Sequence, residues 1–389
     1  MGGLVLAALV VAANFEGGSV GKVEQVAANH LRCAVRGQAD ANQRNRQANW
    51  YFFRIDGLTR EQVRIDFTDL VGEYNFKPGS HAVTAGTRPV YSYDRKTWRH
   101  FADDQVSWDE RATMLTVRFR PESGQVWIAH TQPYLRADLK RLVELRHRDL
   151  RVTTIARSAH GREIPLLTIT DAAVADEDKR SIWVMARQHA WETGTSYVAD
   201  GLVRFLLSDA ESARQMRKGN VFRVIPIFDA DGAAEGAVRF NANGYDNNRN
   251  WDTADAQRMP EIFAVRRAVE QAGRMDLFLA LHNTESVDYV DGPVDEVAAE
   301  LVRALRAETD FLDAASPRAV ARRGAIDAGR MTVNQYLYYT HSVHAYLMEL
   351  RVERHPTLGR PRTAGDFSAF GGGLARSLAA AVSTTGGRR

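Results

Sequence analysis

The sequence predicts an all-β sandwich followed by an α/β domain with a mostly parallel, twisted mixed sheet flanked by helices. Three observations lead to that expectation. At 389 residues the chain is long for one core. Up to about residue 134 it carries only short runs rich in Val, Tyr, Phe and Thr, separated by Gly, Pro, Asn and Asp. Beyond that point apolar strand-like runs alternate with segments of helical period. The expected domains are 1–134 and 135–389.

The apolar run Leu4–Ala13 reads as a first strand with a short extension. A secretory signal is the alternative, disfavoured because no Lys or Arg precedes the run. WYFFRI, QVRIDFTD, PVYSYD, MLTVRFR and QVWIAH read as strands, and the alternation in VRIDF and TVRFR suits half-buried ones. Leu135–Leu150 has helical spacing. A hairpin follows, with Gly161 at its turn. Strands SIWVMAR, NVFRVIPIF, DLFLAL and AYLMELR then alternate with helices near Thr195–Leu207, Pro260–Gln271 and Val294–Thr309. The Gly-rich tail after Gly371 reads as part helix, part frayed terminus.

A formal net charge of +3, with Arg scattered rather than blocked, argues against nucleic acid as the partner. Cys33 is the only cysteine, so no internal disulfide forms and a reducing, cytoplasmic setting is expected. Beyond the N-terminal run, no apolar stretch approaches the ~20 residues of a bilayer span.

Chemistry is sought beyond the carboxyl ends of the strands, where such sheets hold their sites. Three H-x-x-E patterns occur, at His160–Glu163, His189–Glu192 and His282–Glu285. The first lies at a hairpin turn and reads as a solvated pair. His189–Glu192 and His282 directly follow apolar strands, where two His and one carboxylate make an open three-ligand metal site. Between them, Phe228–Gly232 and Arg239–Trp251 are rich in turn formers, amides and Arg. That stretch is either a polar loop with surface arginines or an anion site, since guanidinium pairs bidentately with carboxylates. Glu349 sits in an apolar strand. It is either a general base whose pKa burial raises, or the ion-pair partner of Arg351.

Together, RQHAWET, DADG, Arg239, GYDNNRNWD, LALH and YLMELR follow the order of the zinc metallocarboxypeptidases typified by the pancreatic enzymes. The β-rich first part resembles that of the cytosolic-carboxypeptidase branch. The resemblance implies one zinc per chain, held by His189, Glu192 and His282, with Asp246 orienting the first His. It implies that Asn248 and Arg249 grip a terminal carboxylate, that Arg239 stabilises an oxyanion and that Glu349 activates water. The implied reaction is removal of the last residue of a peptide or protein tail. Alternatives are a zinc amidase or deacylase acting on N-acyl amino acids, and a non-catalytic peptide-binding protein. One departure stands out: the tyrosine that caps substrate in that family has no counterpart in Arg322–Arg330. Tyr336, Tyr338 and Tyr339 come later. Counting back from Glu349 puts neutral Asn334 at the specificity position, with Arg322, Arg323 and Arg330 near it in sequence.

Overall fold

The computed structural model describes residues 8–313 and 315–384. Part of the Leu4–Ala13 run therefore lies outside the described residues, as does the end of the tail.

The β-rich part contains β1 (Val10–Ala12), β2 (Val23–Ala27), β3 (His30–Ala34), β4 (Phe52–Asp56), β5 (Val63–Thr68), β6 (Gly72–Tyr74), β7 (Lys77–Ser80), β8 (Val90–Ser92), β9 (Arg99–His100), β10 (Val106–Asp109), β11 (Met114–Phe119) and β12 (Gln125–Ala129). Two five-stranded sheets, β1-β4-β12-β8-β9 and β10-β11-β5-β3-β2, face one another. Leu31, Phe53, Ile55, Ile65, Phe67, Val117 and Ile128 fill the space between them, because alternate residues of each strand point inward.

β6 and β7 stand apart as a separate hairpin. Tyr74 pairs with Lys77, leaving Asn75 and Phe76 as a two-residue turn. Both have left-handed φ, 49° and 62°. Such a turn needs that backbone, yet a bulky Phe there costs roughly 1–2 kcal/mol. Neighbours hold it in place. Phe76 N donates to Asn45 Oδ1 at 2.8 Å, and Arg44 lies over the Phe76 ring at 5.4 Å.

The α/β part is one eight-stranded sheet, β13-β14-β16-β15-β17-β20-β18-β19. Its strands are β13 (Leu150–Arg157), β14 (Glu163–Ile169), β15 (Arg180–Ala186), β16 (Asn220–Ile225), β17 (Leu277–Thr284), β18 (Tyr289–Gly292), β19 (Arg318–Ala319) and β20 (His344–Arg351). The central strands β16, β15, β17 and β20 are parallel and carry continuous apolar runs because both faces are covered. Helices α2 (Thr193–Leu206), α6 (Glu296–Glu308) and α8 (Ala364–Ser383) supply Leu202, Leu301 and Leu374 to one face. Against the other, α5 (Pro260–Gln271) and α7 (Val333–His341) supply Ile262 and Leu337.

One helical expectation needed adjustment. The helix expected over Leu135–Leu150 is α1, only Arg136–Val143. Asp149 instead takes the buried Arg217 Nε at 2.8 Å, and Leu150 opens β13. The Gly-rich tail is packed helix through Ser383. A Cβ on Gly371 would meet Val198 O at 2.2 Å, so glycine is what lets α8 cross α2 so closely.

No helix among the described residues is long and apolar enough to cross a membrane.

Candidate active site

Strand β15 ends at Ala186, and Arg187 turns the chain sharply with φ 59°. That backbone is held from three sides. Arg187 N donates to Thr195 Oγ1 at 3.0 Å, and its buried guanidinium donates to Ala190 O at 2.6 Å and Tyr134 O at 3.2 Å. The turn so formed brings His189 and Glu192 to one side just before α2 begins. Trp191, between them, points the other way into a cluster with Trp50, Phe52, Val90 and Ala129 of the β-rich part.

His282, near the end of β17, completes the group. His189 Nδ1 lies 2.8 Å from Glu192 Oε1, and His282 Nδ1 lies 2.9 Å from Glu192 Oε2. One ligand atom from each residue falls within 4.8 Å of the others, and all three residues are buried. The outward ring nitrogens are held as well. His189 Nε2 is 3.1 Å from Asp246 Oδ1, and His282 Nε2 is 3.0 Å from Gln188 Oε1. Acceptors on the outer nitrogens fix the protons there and leave both Nδ1 lone pairs free for a metal. Two imidazoles and one carboxylate are the donor set of a zinc site that keeps a fourth position for water. Burial alone would raise the Glu192 carboxyl, but the two imidazoles outweigh it and hold it below the usual range.

A second grouping, His160, Asp231 and Glu235, differs in kind. Arg162 Nη1 sits 2.5 Å from Asp231 and 2.8 Å from Glu235, so a cation already occupies that place. His160 is half exposed and Glu163 pairs with Arg157, consistent with a surface network.

Glu349 lies on β20 directly beside His282 of β17, its register partner. Its Oε2 is buried without a hydrogen-bond partner. Burial pushes this carboxyl well above the usual range and Glu192 and Glu285 add to it, while Arg239 and the Tyr289 hydroxyl oppose. A divalent cation beside it would add to that opposition. The alternative ion pair with Arg351 is absent. The Arg351 Nε donates to Asp288 Oδ1 at 3.2 Å, and its Nη2 donates to Leu312 O.

The loop after α4 (Ala230–Glu235), which follows α3 (Glu211–Gly219) and β16 in the chain, carries the remaining candidates. Asp229 caps α4 through Gly232 N at 2.8 Å, and burial pushes its carboxyl up to about 8. Asp246 bridges two groups: Oδ1 faces His189, and Oδ2 accepts from Arg239 Nε at 2.7 Å. Burial opposes its ionisation, but Arg239 and His189 hold it well below the carboxylate range. Gln38 of the β-rich part fixes the Arg239 backbone, its Oε1 accepting from the amides of 238, 239 and 240 at 2.7–3.0 Å. Asn248 is anchored through its oxygen. Its Nδ2 is 3.3 Å from His282 Nε2, and its Oδ1 accepts from Val333 N at 3.1 Å. Arg249 is half-buried, donates to Asn248 O, and lines a cleft with Arg239, Arg330, Tyr74, Asn75 and Phe76.

Of the later tyrosines, Tyr336 donates to Glu270 at 2.6 Å and Tyr339 to Ala321 O. Asn334 is buried and accepts from Thr332 Oγ1. Sequence reasoning missed Gln188, Gln38, Tyr74 and Tyr289. Gln188 was adjacent to a candidate ligand, a usable signal. The other three reach the site only through pairing between distant segments.

Comparison with known proteins assigns the family. The family model described as zinc carboxypeptidase matches residues 135–355, and that described as cytosolic carboxypeptidase N-terminal domain matches residues 11–130. An uncharacterised protein of Zymomonas mobilis is 29% identical over 292 residues, covering 72% of this chain and 69% of that one. Cytosolic carboxypeptidase 6 of Caenorhabditis elegans is 28% identical over 276 residues, 68% of this chain. The chain spans 58% of that relative and 28% of mouse cytosolic carboxypeptidase 3. In fold it resembles a metallo-carboxypeptidase from Burkholderia cenocepacia, with TM-score 0.82, 23% identity, and coverage of 97% and 99% of the two chains. A metallo-carboxypeptidase from Pseudomonas aeruginosa is similar, with TM-score 0.81, 22% identity, and coverage of 95% and 98%. With the matched model spanning more than half of its length, the chain belongs to the zinc carboxypeptidase family, a metallocarboxypeptidase preceded by a cytosolic-carboxypeptidase-type N-terminal domain.

Proposed function

We propose that this protein removes the C-terminal residue of peptides or protein tails, using one zinc ion held by His189, Glu192 and His282. The observation that carries this reading is Glu349, whose Oε2 is buried without a hydrogen-bond partner, set beside the convergent His–Glu–His group. When bound, zinc supplies Lewis-acid activation of water and of the scissile carbonyl. Glu349 takes the proton from the attacking water and passes it to the leaving amine. Arg239, its backbone fixed by Gln38, neutralises the oxyanion. Asp246 orients both His189 and Arg239, and Gln188 does the same for His282. Arg249 receives the substrate's terminal carboxylate, while Asn248, held by Val333, sets the loop that carries it. The domains we assign are 1–134 and 135–389. A cytoplasmic setting is supported by the single cysteine and by the names of the relatives.

The test is a set of peptides differing only at the last residue, each as free acid and as amide, incubated with zinc-loaded protein. Charge-assisted hydrogen bonds contribute roughly 1.5–3 kcal/mol each, so amidation should slow release at least ~10-fold. Arg249→Ala should show that loss on free acids and little further loss on amides. Equal cleavage of both forms would assign the protein to amidases or endopeptidases instead.

A further inference from the structure

The α/β part offers no tyrosine in Arg322–Arg330 to cover a bound substrate; Tyr336 and Tyr339 are committed to Glu270 and Ala321, Tyr289 to Glu349, and Tyr338 does not line the cleft of Arg239 and Arg249. The β-rich part offers one. The tip of the β6–β7 hairpin reaches across to the catalytic loops, and Tyr74, 43% exposed, lies with its ring 5.6 Å from the Arg239 guanidinium carbon. The next residue fastens the tip. Asn75 Oδ1 accepts from Arg330 Nη2 at 2.7 Å. The base of the hairpin is fastened too: Glu73 accepts from Arg44 Nε and from Asn45 N at 2.8 and 2.7 Å. Two successive left-handed non-glycine residues at the tip are strained backbone held by its surroundings, a state that accumulates where geometry serves a site. Tyr74, Arg239, Asp246, Arg249 and Arg330 all line one cleft.

We propose that Tyr74, from the β-rich domain, is the substrate-covering tyrosine of this enzyme. Its ring packs on the residue before the scissile bond, and its hydroxyl donates to the next backbone carbonyl on the N-terminal side, one residue back from the scissile carbonyl. The placement follows from Arg239. If that guanidinium faces the scissile carbonyl, the ring stacked on it borders the N-terminal side of the bond. The proposal rests on the carboxypeptidase reading above, and its test separates the two.

Zinc-loaded wild type, Y74F and Y74A are compared on a free-acid tetrapeptide and on an N-acyl amino acid, which has no residue before the scissile amide. Binding of a tetrapeptide with a reduced, non-hydrolysable last bond is measured by calorimetry. Removing one neutral hydrogen bond should weaken Y74F about 3- to 10-fold, in kcat/KM on the tetrapeptide and in Kd for the reduced peptide. Y74A, which also loses the ring contact, should weaken about 10- to 100-fold. The acyl amino acid should be handled alike by wild type and Y74F. Tetrapeptide values for Y74F within twofold of wild type overturn the proposal, as does a Y74F effect equal on both substrates, since Tyr74 would then act only through Arg239. Should Y74A fail to fold, Y74F decides alone. If wild type cleaves nothing, the carboxypeptidase reading fails, while the calorimetric comparison still decides Tyr74.

Discussion

Glu349 and His282 are register partners on adjacent parallel strands, so backbone hydrogen bonding fixes the separation of a carboxylate and an imidazole. The site is thus set by the sheet itself. On the proposed assignment, Glu349→Gln should keep zinc and fold but lose about 100- to 10,000-fold in turnover. Metal analysis and steady-state kinetics on the same preparation check this. Wild-type turnover would make Glu349 structural.

Metal content discriminates between the two acidic histidine groups. His189→Ala should lose most of its zinc, whereas His160→Ala should retain about one ion per chain, because Arg162 already serves Asp231 and Glu235. Equal zinc in the two variants would show the ligand turn to be wrongly assigned.

Gln188→Ala removes the acceptor from His282 Nε2, and Asp246→Asn leaves a neutral amide with one oxygen for two donors, His189 Nε2 and Arg239 Nε. Each should weaken zinc affinity about 10- to 100-fold in competition with a chelator. Asp246→Asn should also slow turnover at saturating zinc, because Arg239 loses its charge partner. Gln188→Ala should not do so comparably. Indistinguishable kinetics at saturating zinc would remove Asp246 from its bridging role.

Acid should destabilise the fold through His130. This ring is buried edge-on against Trp191 and Tyr51, both nitrogens lack partners, and burial lowers its pKa from 6.5 to about 4. The unfolded chain binds that proton near pH 6.5 and the folded one only near pH 4. Stability from this group is therefore complete above pH 6.5 and falls as pH drops toward 4. The loss is roughly 3 kcal/mol at its largest, at about 1.4 kcal/mol per unit. His130→Phe should flatten the fall in denaturant midpoint between pH 7 and 4.5. An unchanged slope would assign the acid sensitivity elsewhere.

Much of this was legible in the sequence, for reasons that can be named. Continuous apolar runs such as SIWVMAR and YLMELR marked the buried parallel strands, and residues just past them marked the site. α5 was expected at Pro260–Gln271 and lies there, since proline at its first turn and a periodic apolar face leave little freedom. Illegible parts depend on distant pairing. Tyr289 meets Glu349 only because β18 runs antiparallel beside β20. Gln38 meets Arg239 across a separation of 201 residues. In α1, charged residues of helical period continue past Val143, and local spacing does not reveal that Asp149 is claimed by Arg217.

Trp191 lies between two proposed ligands yet is packed among the aromatic residues of the other domain. Its position bears on ancestry and engineering alike. A chimera taking its first 134 residues from a relative would inherit a socket for a different indole. It would need Trp50, Phe52 and Val90 exchanged as a set to keep the ligand turn in register. A gene fragment beginning at Leu135 would leave that indole in water, so the metal centre and the sandwich should be lost, duplicated or recombined together.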